Sequence, residues 1–209
     1  MNTNRKRRNE PPIAKPLVHD TRTPAEPGGY LPEGANGRLP LTFAKGWLEA
    51  RTTLVGGPFK FCPDDMAGVC LLERGPAQDS TGKRKPCAVH LPIEDFKVPE
   101  DPAALTKALQ ATLRRIIAGE TVYVGCMGGW GRTGLFLALL AKVSGIPDPV
   151  GYVRKHYTPR AVETSQQRQF VDTFETAGLR RWMIWPLFKQ WLRVTLVSSF
   201  TQAGLPTGR

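Results

Sequence analysis

The chain has 209 residues, of which 41% are hydrophobic and 22% charged, with 21 glycines and 19 prolines. This length predicts one globular domain, because a fold of about 100–200 residues already buries most of its apolar surface, and the composition excludes a collagen, a coiled coil and a wholly disordered chain. The formal net charge of +11 is concentrated at the ends: residues 1–20 hold five basic and two acidic side chains, and residues 180–209 hold five basic and no acidic ones.

Sequence features that would direct the chain to a membrane or out of the cell are not found. No run of about 18 uncharged apolar residues occurs, and the basic segment 1–10 is not followed by an apolar one, so we expect neither a membrane span nor a secretory signal. The four cysteines, at 62, 70, 87 and 126, match neither a zinc pattern nor a disulfide framework, which predicts free thiols. We expect a cytoplasmic protein.

Three regions are predicted along the chain. Residues 1–38 combine the basic run 5–8 with six prolines, which predicts a flexible arm; it is either a solvated tail or a contact for an anionic partner, a nucleic acid or a membrane surface. Residues 39–178 form the predicted domain. Residues 179–209 form a basic, tryptophan-rich extension.

The elements of the domain follow in chain order. The patterns predict an edge strand near 38–43, buried strands at 69–72 and 87–91, and a helix opened by Asp101 and Pro102 and closed by Gly119. A strand at 121–124 leads into a glycine-rich turn and an apolar helix at 133–143. Helices at 149–157 and from the capping box at Thr164 complete a single α/β domain with a mostly parallel central sheet flanked by helices.

The stretch 125–134 carries the candidate chemistry. A tight glycine turn between a buried strand and a buried helix gathers backbone N–H groups, and the helix N-terminus there favours an anion. Cys126 at the mouth of this turn would have its thiolate stabilised by the same field, which makes it a candidate nucleophile. Arg132 can hold two oxygens of a phosphate with its planar guanidinium. This pattern indicates attack by sulfur on phosphorus.

Two nucleotide-binding motifs are excluded. The same stretch contains Gly129-x-Gly131-x-x-Gly134, but a dinucleotide-binding unit needs an acidic residue about 20 residues further on, where position 154 is arginine. A Walker loop needs Gly-Lys-Ser/Thr, which the stretch lacks.

Cys126-x5-Arg132 followed by Thr133-Gly134 resembles the signature loop of the protein tyrosine phosphatase superfamily, and its Gly-Gly-x-Gly-Arg interior is most similar to the kinase-associated and dual-specificity branch. The resemblance extends from Leu39 to Phe174. His90-Leu91-Pro92-Ile93-Glu94-Asp95 resembles the loop that carries the general acid, and Ala161-Val162-Glu163-Thr164 with Gln167 and Phe170 resembles the closing helix motif.

The resemblance implies a cysteine-phosphatase fold and a role for each matching residue. Cys126 would form a phosphocysteine, Asp95 would act as general acid and then base, Thr133 would hydrogen-bond the leaving sulfur, and Gln167 would orient the water. No metal or cofactor is implied. The phosphate oxygens would be held by the Arg132 side chain and by the loop amides of Met127, Gly128, Gly129, Trp130, Gly131 and Arg132.

The residues alone leave other interpretations open. Cys126 could be a small buried hydrophobe, and Asp95 an ordinary loop aspartate, with Glu94 and Asp101 as weaker claimants to the acid role. Gln167 is equally suited to the N3 position of a capping box. Trp130 either packs in the core or lines the pocket wall.

Gly125 departs from the family pattern, which has histidine before the nucleophile. The other anion-stabilising groups of the loop remain, so we expect weaker activation of the thiol. Glycine at 125 would relieve crowding by Trp130 or permit a positive φ.

The predicted function is a phosphatase acting on a phosphomonoester, in first place phosphotyrosine or phosphoserine/threonine in a protein. The alternatives are a phosphatase for RNA 5′-phosphate or phosphoinositide, served by the basic termini, and a phosphate-binding pseudophosphatase, for which Gly125 is the argument. The extension at 181–194 is predicted as core packing, a subunit contact or an interfacial membrane helix. Pro186 is expected to limit any helix there to starting near 186.

Overall fold

A computed structural model of the chain describes residues 34–46, 48–76 and 82–202. Five strands form one sheet in the order β1-β2-β5-β3-β4, with β1 antiparallel to β2 and the other neighbours parallel. The predicted α/β fold with a mostly parallel sheet is confirmed. The strands are β1 Gly37–Lys45, β2 Leu48–Pro58, β3 Ala67–Cys70, β4 Val89–His90 and β5 Val122–Cys126; the α-helices are α1 Pro102–Ile117, α2 Gly131–Ser144, α3 Pro149–His156, α4 Ser165–Thr173 and α5 Ala177–Gln202.

Helix α1 has the ends that its sequence predicts. The Asp101 carboxylate accepts hydrogen bonds from Ala103 N at 2.7 Å and Ala104 N at 3.1 Å, which satisfies two N–H groups that the first turn leaves unpaired. Gly119, with φ +84°, follows the last turn. The apolar side chains along one face of α1 are buried in the main core.

Strand β5 and helix α2 form the centre of the domain. All five residues of β5 are buried, and α2 is buried on almost every side, as the absence of a polar face predicts. The chain reverses between them within residues 127–130. A strand and a helix that are both held rigidly by the core therefore fix the position of this turn.

Strand β2 was not predicted. Its sequence, LEARTTLVGGP, mixes apolar and polar residues and ends with two glycines and a proline, so that neither a long apolar run nor a sustained period of two is evident. It is nevertheless a central strand, and its carboxyl end pairs in parallel with β5, with Gly57 opposite Gly125 and Pro58 opposite Cys126. A short 3₁₀ turn at Phe59–Phe61 follows.

The expectation for Pro186 is wrong, because α5 runs from Ala177 to Gln202 with Pro186 inside it. Proline removes one backbone hydrogen bond and crowds the preceding turn. Leu179, Met183 and Leu187 are spaced by four residues and are all buried in the main core. This continuous packed face holds the helix on both sides of the proline.

The predicted limits of the domain differ from the limits of the elements. Strand β1 begins at Gly37 inside the predicted arm, and residue 179, the predicted start of the extension, lies within α5. Residues 1–33 of the arm lie outside the described residues. Taken singly, no helix in the described ranges has the length and apolar character needed to cross a membrane.

Candidate active site

The candidate site is the loop of residues 126–132, here called the Cys126 loop, between the end of β5 and the first turn of α2. Cys126 ends β5 and is only 3% exposed. The Gly129 N–H donates to Cys126 Sγ at a distance of 3.2 Å. The sulfur thus lies inside the loop, facing its backbone.

Two side chains from distant parts of the chain turn this loop's carbonyl groups outward. Asn36 Nδ2 donates to Gly128 O at 2.9 Å, and the Tyr157 hydroxyl donates to Gly129 O. The C=O and N–H groups of one trans peptide point in opposite directions. The N–H groups of Gly129 and Trp130, which share those peptides, are therefore directed to the inner side of the loop, where the sulfur lies.

Three glycines in or just after the loop, Gly129, Gly131 and Gly134, lie where other atoms approach closely. Gly129 has φ +76°, and a Cβ there would lie 2.4 Å from the carbonyl carbon of Gly57. A Cβ on Gly131 would lie 2.2 Å from the Glu163 carboxylate, and one on Gly134 would lie 2.7 Å from Ala161 Cβ. The segment around Ala161 and Glu163 thus packs directly on the start of α2.

Arg132 lies under the loop with its side chain held at two points. Nη1 donates to Ile93 O at 3.0 Å, and Nη2 forms an ion pair with Asp95 Oδ1 at 2.8 Å. Arg132 Nε and Thr133 Oγ1 are buried and, within the described residues, have no hydrogen-bond partner. Buried polar atoms are rarely left unpaired, so these two atoms are available to a ligand.

Asp95 is the acid that reaches the Cys126 loop. Its side chain is 55% exposed while it is paired with Arg132. The following residue, Phe96, has φ +61°. Asp101, by contrast, caps α1 with its carboxylate, and among the described residues no hydrogen bond or ion pair joins Glu94 to the loop. Asp95 is itself exposed and can turn away from Arg132, but the buried guanidinium then needs another anion in the loop to replace the carboxylate.

Gln167 is buried and its side-chain amide contacts backbone at both ends. Oε1 accepts from Glu163 N at 3.0 Å and completes the predicted capping box with Thr164, while Nε2 donates to Lys97 O at 3.2 Å. Gln167 thus ties the start of α4 to the segment that carries Asp95. A water bound by this amide would have to replace one of these contacts.

Trp130 lies half-buried on the rim of the loop, where the Arg160 guanidinium stacks 4.6 Å from its ring centre. Two further apolar side chains of the rim are exposed, Met127 at 70% and Phe96 at 57%. These residues, here called the apolar rim, place apolar surface and one cation in the loop and next to Asp95.

The other three cysteines lie apart from this chemistry. Cys62 and Cys70 belong to a second buried cluster with Phe59 and Tyr123, and burial raises the pKa of both thiols to about 12. Burial also raises the pKa of Cys87. In the ranges that the structure describes, no group of three or more His, Cys, Asp or Glu side chains is placed to hold a metal ion.

Sequence reasoning missed Asn36 and Tyr157. Asn36 fell in the predicted arm, and Tyr157 ended a predicted helix that showed no sign of a functional role. Both act on the loop through side chain to backbone contacts across long sequence separations. Neither a motif nor a periodicity reports such contacts.

Comparison with known proteins gives concordant matches. A family model described as "Swiss Army Knife protein, DSP-PTPase phosphatase domain" matches residues 67–177. The uncharacterized protein MJECL20 of Methanocaldococcus jannaschii is 39% identical over 85 residues, 40% of this chain and 56% of that protein. A second uncharacterized protein of the same organism shows the same identity over 52% of its length, so the chain spans about half the length of the curated relatives that it matches.

Two solved structures are also similar. Tk-PTP in the active form has a TM-score of 0.50 and 25% identity, over 67% of this chain and 95% of that one. Kinase-associated phosphatase with its catalytic-site cysteine replaced by serine has a TM-score of 0.47 and 16% identity, over 63% and 90% of the two chains. The family match and the likeness to Tk-PTP confirm the predicted resemblance.

Proposed function

This chain belongs to the Swiss Army Knife family of DSP-PTPase phosphatase domains, and we propose that it hydrolyses phosphomonoesters through a phosphocysteine formed on Cys126. The observation that carries the proposal is the convergence of a nucleophile, an anion clamp and an acid: Cys126 Sγ accepts an amide N–H inside the loop, and Arg132 beneath it pairs with Asp95 at 2.8 Å. The separate elements that supply these groups meet at one end of the parallel strands.

The first step forms the covalent intermediate. The phosphoryl group enters the loop, where the amides directed inward and the open Nε of Arg132 bind its oxygens. Cys126 Sγ then attacks phosphorus, and the bond from phosphorus to the ester oxygen breaks. The phosphate replaces Asp95 on Arg132, and the released Asp95 takes up a proton from solvent and gives it to the departing oxygen.

The second step restores the enzyme. The Asp95 carboxylate takes a proton from water as the water attacks the phosphocysteine, the bond from sulfur to phosphorus breaks, and inorganic phosphate leaves. Thr133 Oγ1, which is buried and has no hydrogen-bond partner among the described residues, donates a hydrogen bond to the Cys126 thiolate as the thiolate forms. The water meets Asp95 on the solvent side, where Asp95 is exposed.

A phosphoprotein is the substrate that we propose, as phosphotyrosine or phosphoserine/threonine. The apolar rim formed by Phe96, Met127 and Trp130 supports this choice, because it offers exposed surface to the peptide around the phosphorylated residue. Arg160 adds a cation for an acidic neighbour of that residue.

The test is a pre-steady-state burst with an aryl phosphate, followed by a substrate panel. Wild type is expected to release one equivalent of phenol per active site in the burst; Cys126→Ser should abolish it, while the matched variant Cys62→Ser retains it. Phosphate binding with neither a burst nor steady-state turnover would establish a binding module instead. On the panel, turnover of an RNA 5′-phosphate or a phosphoinositide above that of phosphopeptides would overturn the proposed substrate.

A further inference from the structure

The second half of α5 presents an unusual surface. Trp185 is 60% exposed, and its ring stacks on Phe188, which in turn stacks on Trp191, with ring centres 5.9 and 6.1 Å apart. Leu192, two helical turns after Trp185, continues the exposed apolar surface toward the end of the helix. We refer to residues 184–194 as the α5 face.

Cations surround these aromatic rings. A groove of about 420 Å³ lies between the α5 face and the end of α1, and Arg114, Lys189 and Arg193 line it. Lys189 Nζ lies 5.1 Å from the centre of the Trp185 ring, and the Arg114 guanidinium lies 5.1 Å from that of Trp182. The basic groups are thus held at the same level as the indole rings.

From these observations we propose that the α5 face docks on an anionic bilayer surface. Tryptophan rings prefer the headgroup region, where the ring is half in apolar surroundings and the N–H stays near water. Helices that lie in this region combine such rings with lysine and arginine. The α5 face supplies both, on a helix whose buried side is fixed to the core.

The distribution of charge favours an anionic bilayer over a second copy of the chain as the partner of the α5 face. No acidic residue occurs in residues 176–209, and Glu120, which follows α1, is paired with Arg115 at 2.7 Å. Two copies meeting through the α5 face would bring Lys189 and Arg193 of each against like charges, without acids to compensate them. Anionic headgroups supply the missing negative charge.

The apolar content favours a bilayer over a nucleic acid. Phosphates of a nucleic acid would pair with Lys189 and Arg193 but would leave Ile184 and Leu192 exposed to water. A bilayer receives both groups of side chains, the cations at the headgroups and the aliphatic side chains just below them.

The position of the groove determines what the docked protein exposes. The groove includes Ala118, at the end of α1, and β5 starts at Val122, whereas the Cys126 loop lies at the other end of β5. Five residues of strand separate the two by about 16 Å. A domain docked through the α5 face therefore keeps the Cys126 loop away from the bilayer and open to solvent.

Sedimentation of the full chain with vesicles tests the proposal. Wild type should bind vesicles of phosphatidylcholine with phosphatidylserine, bind pure phosphatidylcholine much more weakly, and lose binding as salt rises. Because each basic side chain near an anionic surface contributes about fivefold, Lys189→Glu with Arg193→Glu should weaken binding by about 25-fold or more. Trp185→Ser with Trp191→Ser should weaken it by about tenfold or more.

The matched control is Lys60→Glu with Lys155→Glu, which changes the net charge equally at exposed positions away from α5. It should bind within about twofold of wild type, apart from the small effect of net charge. Binding that falls equally in both pairs would overturn the proposal, as would unchanged binding in the α5 variants. A dimer abolished by the tryptophan variant, or tighter retention on single-stranded RNA than on vesicles, would also overturn it. Circular dichroism of each variant confirms that it is folded.

Discussion

Adding a single methyl group at Gly125 tests why this chain lacks a side chain before the nucleophile. A Cβ at 125 would lie 2.7 Å from Phe59 Cα and 2.9 Å from both Phe59 N and Gly57 O. Carbon atoms pack at about 3.5–4.0 Å, so the Phe59 turn or β5 would have to move by about 1 Å. The crowding atoms are backbone, which cannot rotate aside as a side chain would.

The size of the effect follows from this overlap. Overpacking of this kind costs about 1–3 kcal/mol, and in a protein of this size each kcal/mol lowers Tm by about 2–4 °C. Gly125→Ala should therefore lower Tm by about 2–12 °C, and Gly125→His by more, because an imidazole needs far more room than a methyl group. The matched variant is Gly128→Ala, whose Cβ would meet Trp130 at 3.6 Å, an ordinary contact, with an expected change of about 2 °C or less.

Thermal unfolding followed by circular dichroism measures all three variants. The two explanations that the sequence suggests for Gly125 do not hold: the atoms in the way belong to Phe59 and Gly57 and not to Trp130, and Gly125 is not among the glycines with positive φ. A Gly125→His protein as stable as wild type would refute the argument from crowding. It would leave the absence of the family's histidine without a structural cause.

Four further outcomes are expected. Asp95→Asn should lower kcat by about 10²–10⁴, most for poor leaving groups; an equal loss for all leaving groups would contradict its role as acid. Tyr157→Phe should reduce kcat and also lower Tm by a few degrees, since the buried Gly129 carbonyl loses its hydrogen-bond donor. Arg132→Lys should lose most of its phosphatase activity, because an ammonium group cannot make the bidentate contact with two phosphate oxygens. At pH 7 iodoacetamide should label Cys126 alone, and phosphate should protect it. The other thiols remain protonated, because burial raises the pKa of a thiol such as Cys70 to about 12. Labelling of more than one thiol in the native protein would contradict this.

The parts of the fold that the sequence predicts are those with local signals. Helix α1 is fixed by the Asp101 cap, by Pro102 and by Gly119, and α4 by the capping box from Thr164, so each boundary depends on residues a few positions apart. The Cys126 loop is predicted for the same reason, since its glycines, cysteine and arginine lie within one short stretch. Asp95 and Gln167 are the distant residues assigned to the site, and both came through the family resemblance.

The parts that the sequence does not predict depend on packing between distant segments. Strand β2 carries no periodic signal and exists because β1 and β5 pair with its two edges. Helix α5 continues through Pro186 because Met183 and Leu187 are buried on either side of it. A local rule for proline gives the wrong result where tertiary contacts outweigh the cost of one lost hydrogen bond.

The conformation of the candidate site depends on residues outside the segment that carries its motifs. The family match covers residues 67–177, yet the backbone of Gly57 and Phe59 fixes what position 125 can hold, and Asn36 turns a carbonyl of the Cys126 loop outward. The β1–β2 hairpin that supplies these contacts precedes the match. The signature loop contains its reactive groups within one short stretch of sequence, but its conformation depends on this hairpin and on Tyr157. Removal of the segment before residue 67 should therefore abolish activity, although every residue of the loop is still present.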